Sequence, residues 1–314
     1  MKRAIIILLF FFLETEAQDL HFSQFTKNPF LLNPALIGNF EEDYSFNAQK
    51  RTQWSSVTVP FNTFSASFEA SEMLNRYSTG VQFLHDISGD AKLSTIGANI
   101  SFSRKFLFDK KNQISLGIMT GFVQRKIDYS NLIFLENEYL PSMSNKYIDL
   151  SLGGLFTNTS KTSNKKEIGI SVYHINKPNQ SLLKKDDLIP VRFNIHTSFF
   201  YKIKSRMRLI PSIYYSVQDK QKETVLGTVL IYKMIDIIDE PVEIKTSLYN
   251  RFNDAVILGF GILYQKAEVI FSYDINTSSF TPATDYRGGF EFTFIYKWQK
   301  KKQNKKLKKC PTYL

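Results

Sequence analysis

The chain predicts an all-β fold, a transmembrane antiparallel β-barrel of about fourteen strands, and three observations carry that expectation. Beyond the first forty-odd residues nearly every segment alternates with the period of two that marks a strand with unlike faces. About fourteen such segments run near ten residues each. That length lets a tilted strand cross a bilayer, and it is long beside the five or six residues of soluble sheets. Tyr, Phe and Trp gather near segment ends, as girdles do at the two interfaces, in a chain with 28 Phe and 16 Tyr. A soluble sandwich or propeller with the same alternation is the competing fold.

Taken in order, the chain opens on Lys2-Arg3, an apolar run Ala4–Leu13 and the small-residue context Thr15-Glu16-Ala17. That is the secretory pattern, so residues 1–17 read as a signal peptide, the run being too short to span a bilayer. Residues 18–42 carry Asn28-Pro29, Asn33-Pro34 and a stop at Gly38, which suits a compact irregular segment. Residues 43–298 then supply the strands: Tyr44–Trp54, Phe61–Ala70, Tyr77–Asp86, Leu93–Phe102, a segment around Ile114–Ile118, Tyr147–Phe156, and one around Ile168–Val172. Val191–Tyr201, Met207–Val217, Val225–Tyr232, Val242–Tyr249, Val256–Tyr264, Val269–Ile275 and Phe290–Trp298 follow. No segment reads as an amphipathic helix, and Glu69–Asn75 allows one turn at most. Pro211 lies inside a strand, where its missing N–H predicts a bulge. With Tyr44 starting from the periplasm, the longest connections (Lys126–Lys146, Asn176–Ile189, Asn276–Arg287) all fall outside and the shorter ones inside, as in a bacterial barrel. An even strand count places both termini in the periplasm.

The net charge of +11 is concentrated in residues 299–314, which hold Lys300, Lys301, Lys302, Lys305, Lys306, Lys308 and Lys309 and no acid. Setting aside this tail and the balanced first seventeen residues, 31 basic and 27 acidic residues remain. The tail reads as solvated, as contacting anionic headgroups of outer-membrane lipid, or as partner-facing, and an exported chain with a near-neutral body is not a nucleic-acid binder. A lone cysteine, Cys310, excludes a disulfide framework within the chain, and four scattered His residues show no metal-ligand spacing. No nucleophile elbow, HExxH, phosphate loop or dinucleotide fingerprint occurs. The expectation is no enzyme, no cofactor and no metal. His196, on a polar strand face beside Asn194 and Ser198, reads as lumen lining. Arg51 and Trp54 crowd the first connection, and Asp274, Asp285 and Arg287 flank the entry to the last strand. Because the first and last strands of a closed barrel are neighbours, Arg51 is expected to pair with an acid of the last hairpin.

The opening HFSQFTKNPFLLNPALIG, then RTQWSSVTVPFNTFSASFEA, then SYDINTSSFTPATDYRGGFEFTFIY, and the Lys-rich end closing in Cys310-Pro311 together resemble the PorP/SprF family of type IX secretion system membrane proteins. The resemblance implies a non-enzymatic outer-membrane barrel working with periplasmic ring and peptidoglycan-binding subunits. It also implies a role in export or attachment of a large secreted protein such as an adhesin. The family is similar to fatty-acid-transporter barrels, in which an Asn-Pro-Ala segment plugs the lumen; here that motif is Asn33-Pro34-Ala35, and residues 18–42 are the expected plug. A passive transporter of a hydrophobic or small solute is the alternative role.

Overall fold

The computed structural model describes residues 19–53, 59–74, 76–89, 92–129, 142–160, 164–183, 185–234, 242–278 and 281–300. The expected signal peptide, Trp54 and the tail lysines from Lys301 onward lie outside them.

Fourteen strands form one closed antiparallel barrel in sequence order. They are β1 (Tyr44–Gln53), β2 (Phe61–Leu74), β3 (Tyr77–Ser88), β4 (Leu93–Leu107), β5 (Asn112–Ile127), β6 (Met143–Thr159) and β7 (Lys165–Tyr173). β8 (Arg192–Lys204), β9 (Met207–Gln218), β10 (Gln221–Lys233), β11 (Val242–Arg251), β12 (Ala255–Tyr264), β13 (Ala267–Asn276) and β14 (Arg287–Trp298) complete it. Each strand predicted from alternation is present. β1 closes against β14 with Tyr44 opposite Trp298 and Arg51 opposite Glu291, which leaves no unpaired edge. Among the described residues no helix is long and apolar enough to cross a membrane; a barrel crosses with its strands.

The burial pattern is the inverse of a soluble protein's. Outward positions carry exposed apolar side chains, for example Phe83, Ile100, Phe122, Phe193 and Phe290, while inward ones bury Ser45, Asn47, Gln49, Arg51, Ser65, Gln82 and Thr293. Lipid takes the place of solvent on the apolar face, and the barrel satisfies its backbone bonds internally. We call the end holding Tyr44 and Trp298 the lower rim and the end holding Gln53 and Arg287 the upper rim. The strands that flank the three longest connections, 128–142, 174–191 and 277–286, meet them at the upper rim.

One local expectation is corrected. Pro211 makes no bulge: β9 keeps one register with β10 through Pro211 opposite Thr228. Towards β8 the pairing skips from Ser198–Ser212 to Tyr201–Leu209 without a shift. In an antiparallel ladder a residue's N–H serves one neighbour only, so the missing donor costs a gap on one side. Beyond Glu69 the chain continues β2 through Leu74, with a register irregularity between Ala70 and Leu74 and Glu72 at φ 47°.

Residues 19–42 run inside the barrel from upper to lower rim. Each Asn-Pro pair starts one short turn: Asn28 caps Pro29–Leu32 by accepting from Leu31 N, and Asn33 caps Pro34–Leu36 by accepting from Ala35 N. Proline suits the first position of such a turn because no helical bond needs its N–H. Gly38 then turns at φ 71°, where a Cβ would lie 2.3 Å from Ser78 Oγ. Asp43 N finally donates to Trp298 O, and the chain enters β1. Asp19 and Trp298 therefore stand at opposite rims. The strand ends Tyr44 and Trp298 share the lower rim.

Candidate functional site

Backbone polar groups of an irregular segment need partners, and the inner wall supplies them from all round. Glu291 on β14 accepts from Ser23 N (2.7 Å) and Gln24 N (3.1 Å). Asn28 donates to Gln49 Oε1 on β1 (2.9 Å) and accepts from Gln82 Nε2 on β3 (3.0 Å). Tyr173 OH on β7 donates to Phe30 O, Ser171 Oγ to Leu32 O, Ser103 Oγ on β4 to Ile37 O, and Ser71 Oγ on β2 to Gly38 O. Two apolar clusters add to this network. Leu32 packs with Tyr214, Val225, Tyr249 and Ile257, and Phe30 and Ile37 pack with Met119 and Tyr173. Full burial of a Phe or Ile contributes roughly 1.5–3 kcal/mol.

Asn33-Pro34-Ala35 sits in a recess on β5–β7. Asn33 Nδ2 lies 3.0 Å from Gly154 O, 3.1 Å from Ile170 O and 3.1 Å from His196 Nε2. Three glycines make the recess. A Cβ on Gly117 would lie 2.3 Å from Pro34 C, one on Gly153 2.0 Å from Asn33 Oδ1, and one on Gly169 2.1 Å from His196 Nε2. Any side chain there collides with the motif or its partner. Sequence reasoning missed these glycines, whose signal was a Gly on the polar parity of three consecutive strands.

Towards the upper rim, Arg51 Nη2 lies 2.9 Å and Arg251 Nη2 2.8 Å from Asp274 Oδ2, which also accepts from Ser23 Oγ at 2.6 Å. Arg51 donates its other Nη to His21 O (2.6 Å). Burial, then the charges of Arg51 and Arg251, push His21 well below its ordinary pKa. Asp285 and Arg287 stand apart from this cluster, exposed and 4.0 Å from each other. Lys300 N donates to Asp43 Oδ2 at the lower rim, where the tail leaves the barrel.

A second cluster fixes Asp19. Its carboxylate lies 3.0 Å from Arg192 Nη1 and 2.7 Å from His174 Nε2, and His174 Nδ1 lies 3.0 Å from Asp149 Oδ1. Burial opposes ionisation of Asp19, yet Arg192 and His174 outweigh it and hold the carboxyl below its usual range. Burial likewise opposes charge on His174, and the two carboxylates overcome it, raising the ring to about 9. Above Asp19, His21 and Leu31 a cavity of about 750 Å³ opens towards the upper rim, lined by Asp86, Arg125, Tyr147, Gln218, Lys222, Glu223 and Asp254 among others. Among the described residues no group of His, Cys, Asp or Glu is arranged to hold a metal ion.

Solved structures with the same fold include the toluene transporter TbuX of Ralstonia pickettii (10% identity, TM-score 0.52, 86% of this chain and 93% of that one). A FadL homologue of Pseudomonas aeruginosa (9%, 0.50, 85% and 93%) and the monoaromatic hydrocarbon channel CymD (10%, 0.52, 87% and 93%) are similar to the same degree. At such identities the likeness shows the barrel alone. A comparison with curated protein sequences gave no match. Residues 14–296 match the type IX secretion system membrane protein family PorP/SprF. With nearly the whole barrel and the segment inside it covered by that match, the chain belongs to the PorP/SprF family.

Proposed function

We propose that this barrel is a non-enzymatic outer-membrane component of type IX secretion that supports export or surface attachment of a large secreted protein such as an adhesin. In this reading the upper rim with its long connections faces the cell exterior and the cargo. The lower rim and the Lys300-to-Lys309 tail face periplasmic machinery, including ring and peptidoglycan-binding subunits. The observation that carries the reading is the family match over residues 14–296 on a barrel whose lumen holds its own N-terminal segment. Residues 18–42 act as a plug, with Asn33-Pro34-Ala35 seated in the glycine recess and Arg51, Asp274 and Arg251 fastening its upper end. A passive transporter of a hydrophobic or small solute is the second reading, since the cavity above the segment sets Leu31, Leu84, Met119 and Val123 beside Asp86, Arg125 and Glu223.

Co-purification of the detergent-solubilised, tagged barrel from its own cell envelope tests the assignment. Secretion subunits and a large exported protein are expected; bound lipid with no secretion component supports the transporter and overturns the proposal. Deleting residues 18–42 tests the plug separately: conductance in a planar bilayer should rise, and an unchanged conductance sinks it.

A further inference from the structure

A cation on the lipid-facing side of a barrel is costly away from the interface, and β4 carries one near the lower rim. Arg104 is exposed and follows Ile100 and Phe102 on the outward alternation of that strand. In the ladder it stands opposite Tyr77 of β3 and Leu116 of β5, both exposed on the same face. Its guanidinium carbon lies 4.7 Å from the centroid of the Tyr77 ring and 4.9 Å from that of Phe106. The two rings hold the charge by cation–π attraction but take up none of its N–H donors. Among the described residues Arg104 makes no hydrogen bond and no ion pair.

Its surroundings add positive charge. Lys105 N donates to Arg76 O at 3.1 Å, which sets the exposed Arg76 beside this stretch of β4. The turn from β4 to β5 exposes Lys110 and Lys111. Asp109 in that turn accepts from Lys111 N at 2.6 Å, Asn112 N at 2.8 Å and Asn112 Nδ2 at 2.7 Å. Glu72 is engaged by Lys105 at 3.0 Å. Asp109 is thus set against Arg76, Arg104, Lys110 and Lys111. Residues 161–163 and the tail from Lys301 hold no acid. Asp236, Asp239 and Glu240 belong to the 234–241 connection between β10 and β11, on the opposite side of the ring from β4. A connection of that length extends about 15 Å at most. Fourteen strands spaced about 4.8 Å apart make a ring more than about 20 Å across, so those acids do not reach Arg104 on the outer wall.

We propose that Arg104, held by Tyr77 and Phe106, binds the phosphate of a glycerophospholipid in the leaflet at the lower rim, with Arg76, Lys110 and Lys111 favouring an anionic headgroup. A guanidinium fork matches two phosphate oxygens at once. The position selects lipid over a polypeptide, because Arg104 stands on the outward parity with Phe102 and Leu116, where acyl chains lie against the wall. The proposal requires only that the barrel sits in a bilayer, so its failure leaves the co-purification test unaffected.

The test titrates the full-length barrel, folded in detergent, with phosphatidylglycerol and reads retained lipid by native mass spectrometry. A heat-dependent gel shift verifies the barrel in every variant. R104Q should weaken retention of the tightest lipid by about fivefold or more. K50Q removes an exposed outward lysine of β1 that stands between Phe64 and Phe292, and should change retention by less than about twofold. Equal loss from both variants, or no loss from R104Q, overturns the proposal. Inorganic phosphate at the same concentration should displace none of the lipid; displacement would assign the site to a soluble phosphate and overturn it. Binding of a fluorescein-labelled deca-glutamate peptide, read by anisotropy, should be the same for R104Q and the parent. Loss of peptide binding with lipid retention intact would assign the arginine to an acidic polypeptide and also overturn it.

Discussion

Replacing Asp274 by Asn removes one charge and almost no volume, and the structure fixes what that charge does. Its Oδ2 is shared by Arg51, Arg251 and Ser23, and the Arg51, Arg251 and Asp274 side chains are 1%, 5% and 3% exposed. Two buried guanidinium groups would lose their common counter-ion. Arg251 keeps Asp254 at 2.5 Å, but that carboxylate is 45% exposed, and Arg51 keeps the neutral carbonyl of His21. Removing one partner from a buried pair costs about 3–5 kcal/mol, so D274N should lower unfolding stability by that amount. Guanidinium unfolding of the detergent-folded barrel, followed by tryptophan fluorescence, reads it. A chain carrying R51M, R251M and D274M should recover most of the loss, since apolar replacement of a buried ionic group is often neutral or stabilising. A D274N barrel within about 1 kcal/mol of the parent would refute the reasoning, because exposed pairs are worth no more than that. So would a triple variant no more stable than D274N.

Three further outcomes follow from the same geometry. Gly153→Ala places a methyl 2.0 Å from Asn33 Oδ1; it should cost about 1–3 kcal/mol by overpacking and raise bilayer conductance, whereas Gly97→Ala, with its nearest neighbour at 3.7 Å, should do neither. The raised His174 pKa makes its hold on Asp19 pH-dependent. That contribution is complete below about 6.5, the free imidazole value, and is lost as pH rises through about 9, so protease nicking near Asp19 should increase between pH 7 and 10 and H174A should flatten the rise. Changing Lys300, Lys301, Lys302, Lys305, Lys306, Lys308 and Lys309 to Gln should weaken recovery of periplasmic partners in low-salt pull-downs without altering the barrel's gel shift.

The barrel was legible in the chain because lipid enforces alternation on every strand. Phe290, Phe292, Phe294 and Tyr296 against Glu291, Thr293 and Ile295 could satisfy one arrangement only, apolar side out, and the closure of β1 on β14 followed from an even count. Pro211 was misread because its cost was assigned to register, when a missing donor on one side of an antiparallel strand leaves the other side paired.

The interior was legible only where one residue type announces its own need. Asn28-Pro29 and Asn33-Pro34 read as turns from local chemistry, and Arg51 was placed near the last hairpin by topology alone. Gly117, Gly153 and Gly169 carried no such announcement, because an inward Gly in an isolated strand looks the same as an inward Ser. Its meaning is relational: the wall position must be empty for Pro34 or Asn33 to occupy it. The buried charges behave the same way. Arg192 and Asp149 lie far apart in sequence, on β8 and β6, and become a site only when Asp19 and His174 bridge them. A wall that contacts residues 19–42 from many strands therefore hides its specificity in pairs, each half unremarkable until the other is placed opposite. The informative variants are those that change the wall and read the effect on the leader.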